Sequence, residues 1–191
     1  GRALLRLSEQ SRSLDPTTGL PGNLAIEREF DRRRNSPARF TLCYLDLDNF
    51  KAFNDHFGFA RANALIEDLG RILQGSVSGT DHFAGHIGGD DFVLICAPDV
   101  ARRLVERIQR ELREALGARL GAETLAKGTY RGHLRNGEEA DIPLTRLAAA
   151  LLKIDPNKMP PLATLGELAA ETKHAAKRST GDGIVEVEVI G

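Results

Sequence analysis

Residues 83–96, FAGHIGGDDFVLIC, contain two apolar runs separated by Gly88-Gly89-Asp90-Asp91. A glycine pair between two such runs is typical of a β-hairpin, because tight reversals need positive φ angles that glycine adopts at little cost. We therefore predict strands over 83–87 and 92–96. The turn that joins them carries two adjacent carboxylates.

A second strand is predicted upstream, over Phe40 to Leu47, where apolar and β-compatible residues form an almost continuous run. It delivers Asp46 and Asp48 at its C-terminal end. Helices are predicted over 50–57 and 60–73, between this strand and the hairpin. Strands separated by helices, with a hairpin in the middle, predict an α/β sandwich with a mixed sheet rather than a doubly wound parallel fold.

The remaining segments add weaker signals. Apolar residues at helical spacing follow Pro98, and a further helix is predicted over 165–177 before a closing strand over 183–190. Strands over 129–134 and 143–154 are predicted around a turn, although the alanine run 148–150 also suits a helix. Residues 1–14 are predicted to be a connector helix, and 15–191 a single domain.

Composition places the chain among ordinary soluble domains, with 191 residues, 41% hydrophobic and 28% charged, and a net charge of −1. No apolar run approaches the roughly 20 residues that a membrane helix needs, so we expect no membrane contact by this segment. Near-neutrality also argues against nucleic acid as a partner. Cys43 and Cys96 lie in strand-like apolar runs and are predicted to be buried, reduced thiols, which favours a cytoplasmic location, although the parent protein could be membrane-anchored.

The two pairs of carboxylates are the candidate chemistry. Either pair alone is more typical of a solvated acidic turn. Together, Asp46/Asp48 and Asp90/Asp91 suggest Mg²⁺, which proteins hold with one or two carboxylates plus substrate phosphates. Lys51 offers a cation for the same phosphates.

Three motifs carry a family resemblance: DPTTGLP at 15–21, DLDNFKAFND at 46–55 and GGDDF at 88–92. In order and spacing they resemble the signatures of the GGDEF domain, the diguanylate cyclase family of bacterial signalling. The resemblance implies a palm-like fold with a central, mostly antiparallel sheet wrapped by helices. It also implies that a homodimer condenses two GTP molecules into cyclic di-GMP.

The resemblance assigns roles to individual residues. Asp46 and Asp90 would hold two Mg²⁺ ions, or Mn²⁺, with help from the Leu47 carbonyl. Asp91 and Asp90 would serve catalysis, Asp91 standing where the family usually has a glutamate implicated in proton removal. The groups expected to bind the substrate are Lys51 and Lys177 at the phosphates, Gly88 and Gly89 beside the α-phosphate, and Asn54 with Asn63 at guanine.

Several positions depart from the family pattern. Asn63 replaces an acid, Asp91 is one methylene shorter than glutamate, and His86 and Gly181 stand where arginines are common. The product-inhibition motif is replaced by Gly-Thr-Asp-His at 79–82, so we predict no feedback inhibition through that site. Two hypotheses remain. The domain is an active cyclase, or it is a degenerate one that binds GTP or dimerises to regulate an attached EAL, CBS or sensory module.

Overall fold

The computed structural model describes residues 14–134 and 136–190. The predicted connector helix therefore lies outside the described residues, except for its last position. The helices are α1 (Asn23–Arg34), α2 (Phe50–Phe57), α3 (Phe59–Val77), α4 (Ala101–Leu120), α5 (Ala122–Lys127) and α6 (Leu162–Arg178). The strands are β1 (Phe40–Asp48), β2 (Phe83–Gly88), β3 (Asp91–Cys96), β4 (Thr129–His133), β5 (Glu139–Pro143), β6 (Arg146–Ile154) and β7 (Ile184–Val189).

Five strands form one sheet in the order β2-β3-β1-β6-β7, and β4 pairs with β5 in a separate hairpin. Only β6 and β7 are parallel within the five-stranded sheet; its other neighbours are antiparallel. The predicted fold class, an α/β sandwich with a mostly antiparallel palm-like sheet, is confirmed.

Helices cover both faces of the sheet, and β1 shows how residue parity assigns side chains to them. Successive side chains of a strand point to opposite faces. Cys43, Leu45 and Leu47 enter the core cluster shared with α3 and α4. Phe40 and Leu42 enter the cluster shared with α1 and α6. Asp46 continues this second row, so its carboxylate lies on the α6 side of the sheet.

The structure differs from the predicted elements between β4 and β6. The strand expected over 143–154 begins later, as β6 at Arg146, and β5 at Glu139–Pro143, which was not predicted, pairs with β4. The alanine run 148–150 is strand, completely buried between β1 and β7. Both cysteines are buried and unpaired, as predicted.

Candidate active site

The sheet brings three of the four predicted carboxylates together. Asp46 on β1 lies directly opposite Asp91 on β3, and Asp90 precedes Asp91 in the turn. Carboxylate oxygens of these three residues lie within 4.8 Å of one another. Asp48 lies outside this cluster, and its Oδ2 is 3.5 Å from Nε of Arg146.

The turn beside this cluster depends on glycine. Gly88 and Gly89 have φ angles of +153° and +55°, where most residues would be strained. A methyl group built on either one would meet nothing within 4 Å. The glycines are therefore required by backbone conformation, and they leave open space next to Asp90.

Two lysines of α6 contact the cluster. The Lys173 ammonium lies 2.8 Å from Asp46 Oδ2 and 2.7 Å from Asp91 Oδ1. The Lys177 ammonium lies 2.9 Å from the same oxygen of Asp46. Lys177 was predicted at this site from the family resemblance and Lys173 was not, although their i, i+4 spacing places both on one face of a helix.

The three clustered carboxyl groups differ in pKa. Burial opposes ionisation of Asp46, but hydrogen bonds from Lys173 and Lys177 outweigh it and lower its pKa. Burial and the nearby charge of Asp46 raise the pKa of Asp90 to about 6. Burial also raises the pKa of Asp91, although Lys173 opposes the shift. The cluster thus pairs one firmly ionised carboxylate with two that accept protons more easily.

A cleft of about 700 Å³ opens beside the carboxylates. Its lining includes Leu47, Lys51, Asp90 and Lys177, and the β4–β5 hairpin forms one wall. Lys51 is exposed and its ammonium lies 2.8 Å from Asp55, one helical turn away. Four of the predicted site residues thus share one cavity with a separate β-hairpin.

The two asparagines lie on either side of the turn at Gly58, outside the residues that line the cleft. Asn54 is half-buried on α2. Asn63 is half-buried on α3, where its amide donates a hydrogen bond to Glu67 at 2.8 Å. Gly58, with a φ angle of +89°, makes the sharp reversal between their helices.

His86, which replaces the common arginine, ties the turn to the start of the domain. Its Nε2 donates to the Gly89 carbonyl at 2.9 Å, and Nδ1 lies 3.0 Å from Asp15 Oδ1. The ring is buried and stacks on Phe92 with centroids 4.2 Å apart. Backbone N–H groups of Thr17 and Thr18 donate to the same Asp15 oxygen. The conformation of the glycine turn is therefore coupled to residues 15–18.

Gly181, the other departure, lies in the loop after α6. Its carbonyl accepts a hydrogen bond from Arg146 at 3.0 Å. Arg146 also donates to the carbonyls of Lys177 and Ser179, so it stabilises the C-terminal end of α6. Among the described residues, no helix combines the length and apolar character needed to cross a membrane.

Comparison with known proteins identifies the family of the chain and agrees with the fold. The profile of the family described as "Diguanylate cyclase, GGDEF domain" matches residues 12–127. The chain therefore belongs to the GGDEF domain family, as its three motifs predicted. The match covers the carboxylate cluster and ends before the β4–β5 hairpin.

Among relatives, diguanylate cyclase DgcS of Shewanella oneidensis is 36% identical over 101 residues, covering 49% of this chain and 33% of that protein. Diguanylate cyclase DgcP of Pseudomonas aeruginosa is 31% identical over 107 residues, covering 52% of this chain and 16% of that protein. The chain thus spans a minor part of the curated relatives that it matches.

The fold also resembles a solved structure, the coiled coil and GGDEF domain of DgcB from Caulobacter crescentus in complex with c-di-GMP. The TM-score is 0.73, with 20% identity over 97% of this chain and 91% of that one. At this identity the similarity establishes the fold alone.

Proposed function

We propose that this domain is a diguanylate cyclase, which condenses two GTP molecules into cyclic di-GMP as a Mg²⁺-dependent homodimer in bacterial signalling. The observation that carries the proposal is the cluster of Asp46, Asp90 and Asp91, within 4.8 Å of one another beside a cleft with two lysines. Such a combination suits a nucleoside triphosphate and the divalent cation bound to it.

The residues present fit a divalent metal ion. Asp46 is 2% exposed, and among the described residues no group donates a hydrogen bond to its Oδ1. Burying a carboxylate oxygen without a partner costs free energy, and a bound cation would offset that cost. Asp46, Asp90 and the Leu47 carbonyl would hold Mg²⁺, or Mn²⁺, with oxygen ligands only. The metal, when bound, would lower the pKa of the ribose 3′-hydroxyl and stabilise charge on the α-phosphoryl group.

The phosphates have matching groups in the cleft. Lys51 and Lys177 line it and supply positive charge. Gly88 and Gly89 leave room for the α-phosphate, since nothing lies within 4 Å of a methyl group placed on either. We propose Lys51 as a catalytic group because it would balance the charge that develops on the departing pyrophosphate.

The base would be recognised by the two asparagines that flank Gly58. Asn54 and Asn63 both carry amides that can donate to and accept from the guanine edge. Asn63 would have to exchange its hydrogen bond with Glu67 for one with the base. We therefore expect Asn63 to bind guanine more weakly than the acidic residue that the family usually has at this position.

The reaction joins nucleotides held by two copies of the domain. The 3′-oxygen of one GTP attacks the α-phosphorus of the other, the bond to pyrophosphate breaks, and the hydroxyl proton passes to a base. Asp91 is our candidate for that base, because burial raises its pKa above the ordinary value for aspartate. A second, symmetric attack closes the ring and releases the second pyrophosphate. A cleft of about 700 Å³ falls in the usual range for a single small-molecule site, so the second GTP would come from the other copy in the proposed homodimer.

The alternative is a degenerate domain that binds GTP or dimerises to regulate an attached EAL, CBS or sensory module. Two observations favour it. Asp91 is held by Lys173 at 2.7 Å, and Asn63 is held by Glu67. Either contact would have to break before the residue could act on a substrate.

One assay separates the two functions. The 191-residue chain, and the same chain fused behind a parallel leucine zipper, are incubated with GTP and Mg²⁺, and cyclic di-GMP is measured by mass spectrometry. The cyclase predicts product from the zipper fusion and none from its Asp46→Asn variant. Absence of product from both forms, with GTP binding still measurable, would support the degenerate domain instead.

A further inference from the structure

Lys173 occupies a position between two of the three clustered carboxylates. Its ammonium lies 2.8 Å from Asp46 Oδ2 and 2.7 Å from Asp91 Oδ1. The side chain is 30% exposed, so its aliphatic stem lies largely in the protein while the charge bridges the two strands. A cation bridging two carboxylates in this way occupies the space between them and neutralises part of their charge, as a second divalent ion would.

The two carboxylate oxygens of Asp46 differ in their hydrogen-bond partners. Oδ2 accepts hydrogen bonds from Lys173 and Lys177, at 2.8 and 2.9 Å. Oδ1 is buried and accepts none among the residues described. One side of this carboxylate is therefore already neutralised by protein groups, and only the other side lacks a positive partner.

The lysines already balance part of the charge of the cluster. The three carboxylates, when ionised, carry three negative charges, and the two ammonium groups supply two positive ones. A metal ion placed between Asp46 and Asp91 would lie next to the Lys173 ammonium, which contacts both carboxylates. Like charges this close repel strongly in a partly buried site.

Lys173 is also held in place by its helix. Leu165, Ala169, Thr172 and Ala176 are the buried residues of α6 and anchor it on the sheet. A second metal ion between Asp46 and Asp91 would therefore have to displace the lysine side chain from a fixed backbone position.

We propose that Lys173 replaces one of the two divalent cations, so that the nucleotide-bound domain takes a single ion, at Asp46 Oδ1 and Asp90. This inference rests on the proposed function, because it presupposes that the cluster binds a metal with GTP. It makes Lys173 the residue that determines the metal count of this site.

The test counts metal ions rather than turnover. The full chain is dialysed to equilibrium against Mn²⁺ and α,β-methylene-GTP, an analogue that cannot release pyrophosphate, and bound manganese is measured per bound nucleotide. We expect one Mn²⁺ in the wild type and two in Lys173→Met, which keeps the aliphatic stem. Lys173→Gln, also expected to bind two, serves if the methionine variant does not fold.

Lys158→Met is the matched control, since Lys158 is exposed in the short turn Pro156–Lys158 before α6 and lines a different cavity from the cleft beside the carboxylates, and it should bind one. Two ions in the wild type would overturn the inference and leave the proposed function standing. One ion in both Lys173 variants would also overturn it. Nucleotide binding without any Mn²⁺, in wild type and variants alike, would overturn the inference together with the metal-dependent function.

Discussion

At the scale of single residues, His86 links the glycine turn at 88–91 to the first motif of the domain. Both of its ring nitrogens face oxygen atoms, those of Gly89 and Asp15, and its ring stacks on Phe92. An arginine in this position would reach Asp15 with a longer, permanently charged group. The histidine makes the same connection with a planar ring buried against the sheet.

Replacing Asp15 tests this connection. We expect Asp15→Asn to lower the free energy of unfolding at pH 7 by about 1–2 kcal/mol, since it weakens the contacts with His86 and with two backbone N–H groups. The pKa of Asp15 in the folded protein is below its ordinary value of 3.8. Its contribution is therefore complete at neutral pH and is lost as the pH falls through the folded pKa.

Urea denaturation at several pH values between 7 and 3 measures the effect. The difference between wild type and Asp15→Asn should shrink towards the acid end. Glu171→Gln, an exposed carboxylate on α6, is the control and should change stability little. An Asp15→Asn variant as stable as the wild type at pH 7 would show that the link contributes nothing.

A pair of glycine substitutions tests the turn. Gly89→Ala should cost about 1–2 kcal/mol, because a φ of +55° strains any residue with a Cβ. Gly75→Ala, in α3 with open space around it, should instead stabilise by about 0.5–1 kcal/mol. Thermal unfolding of both variants compares them directly. Equal effects of the two changes would rule out backbone strain as the reason for Gly89.

At the scale of elements, α6 and the sheet build the site together. Alternation along β1 and β3 places Asp46 and Asp91 on the face that α6 covers, and helical spacing points Lys173 and Lys177 at them. The acidic cluster is therefore an assembly of three elements that are distant in sequence.

An ion pair between Asp68 and Arg119 joins α3 and α4. Asp68 on α3 is buried, and Arg119 on α4 reaches it at 2.5 Å, while Arg71 contacts its other oxygen. Arg119→Met should lower stability by about 1 kcal/mol, because Asp68 loses one partner but keeps the second. Arg103→Met, on an exposed position of α4, should have no such effect in the same urea titration. If the two variants unfold alike, the ion pair does not stabilise the helix contact.

The elements also show what sequence alone could predict. Asp46, Asp90 and Asp91 were predicted because each ends or begins an apolar run, and strand ends are visible in the pattern. Lys173 was not, because its contact depends on how α6 lies across the sheet, which is a long-range property. Strand β5 was not predicted because its polar residues Glu139 and Asp141 give no apolar strand pattern, and the segment is a strand through its pairing with β4.

At the scale of the whole molecule, the chain adopts the GGDEF fold with departures from the family pattern at the carboxylate cluster. The β4–β5 hairpin forms one wall of the cleft, so residues beyond the family match also shape this cleft. Since the chain spans a minor part of its curated relatives, we propose that it acts beside an attached module that controls its dimerisation.

We propose that the carboxylate cluster binds GTP through a divalent metal ion. Equilibrium dialysis of labelled GTP with Mg²⁺ and with EDTA, for wild type and Asp46→Asn, tests this dependence on the metal. We predict that Mg²⁺ increases the affinity of the wild type at least tenfold. In Asp46→Asn, which loses the ligand but keeps both lysines, the ratio should fall to about one. Equal affinity with Mg²⁺ and EDTA in the wild type, or an unchanged ratio in the variant, would contradict the claim.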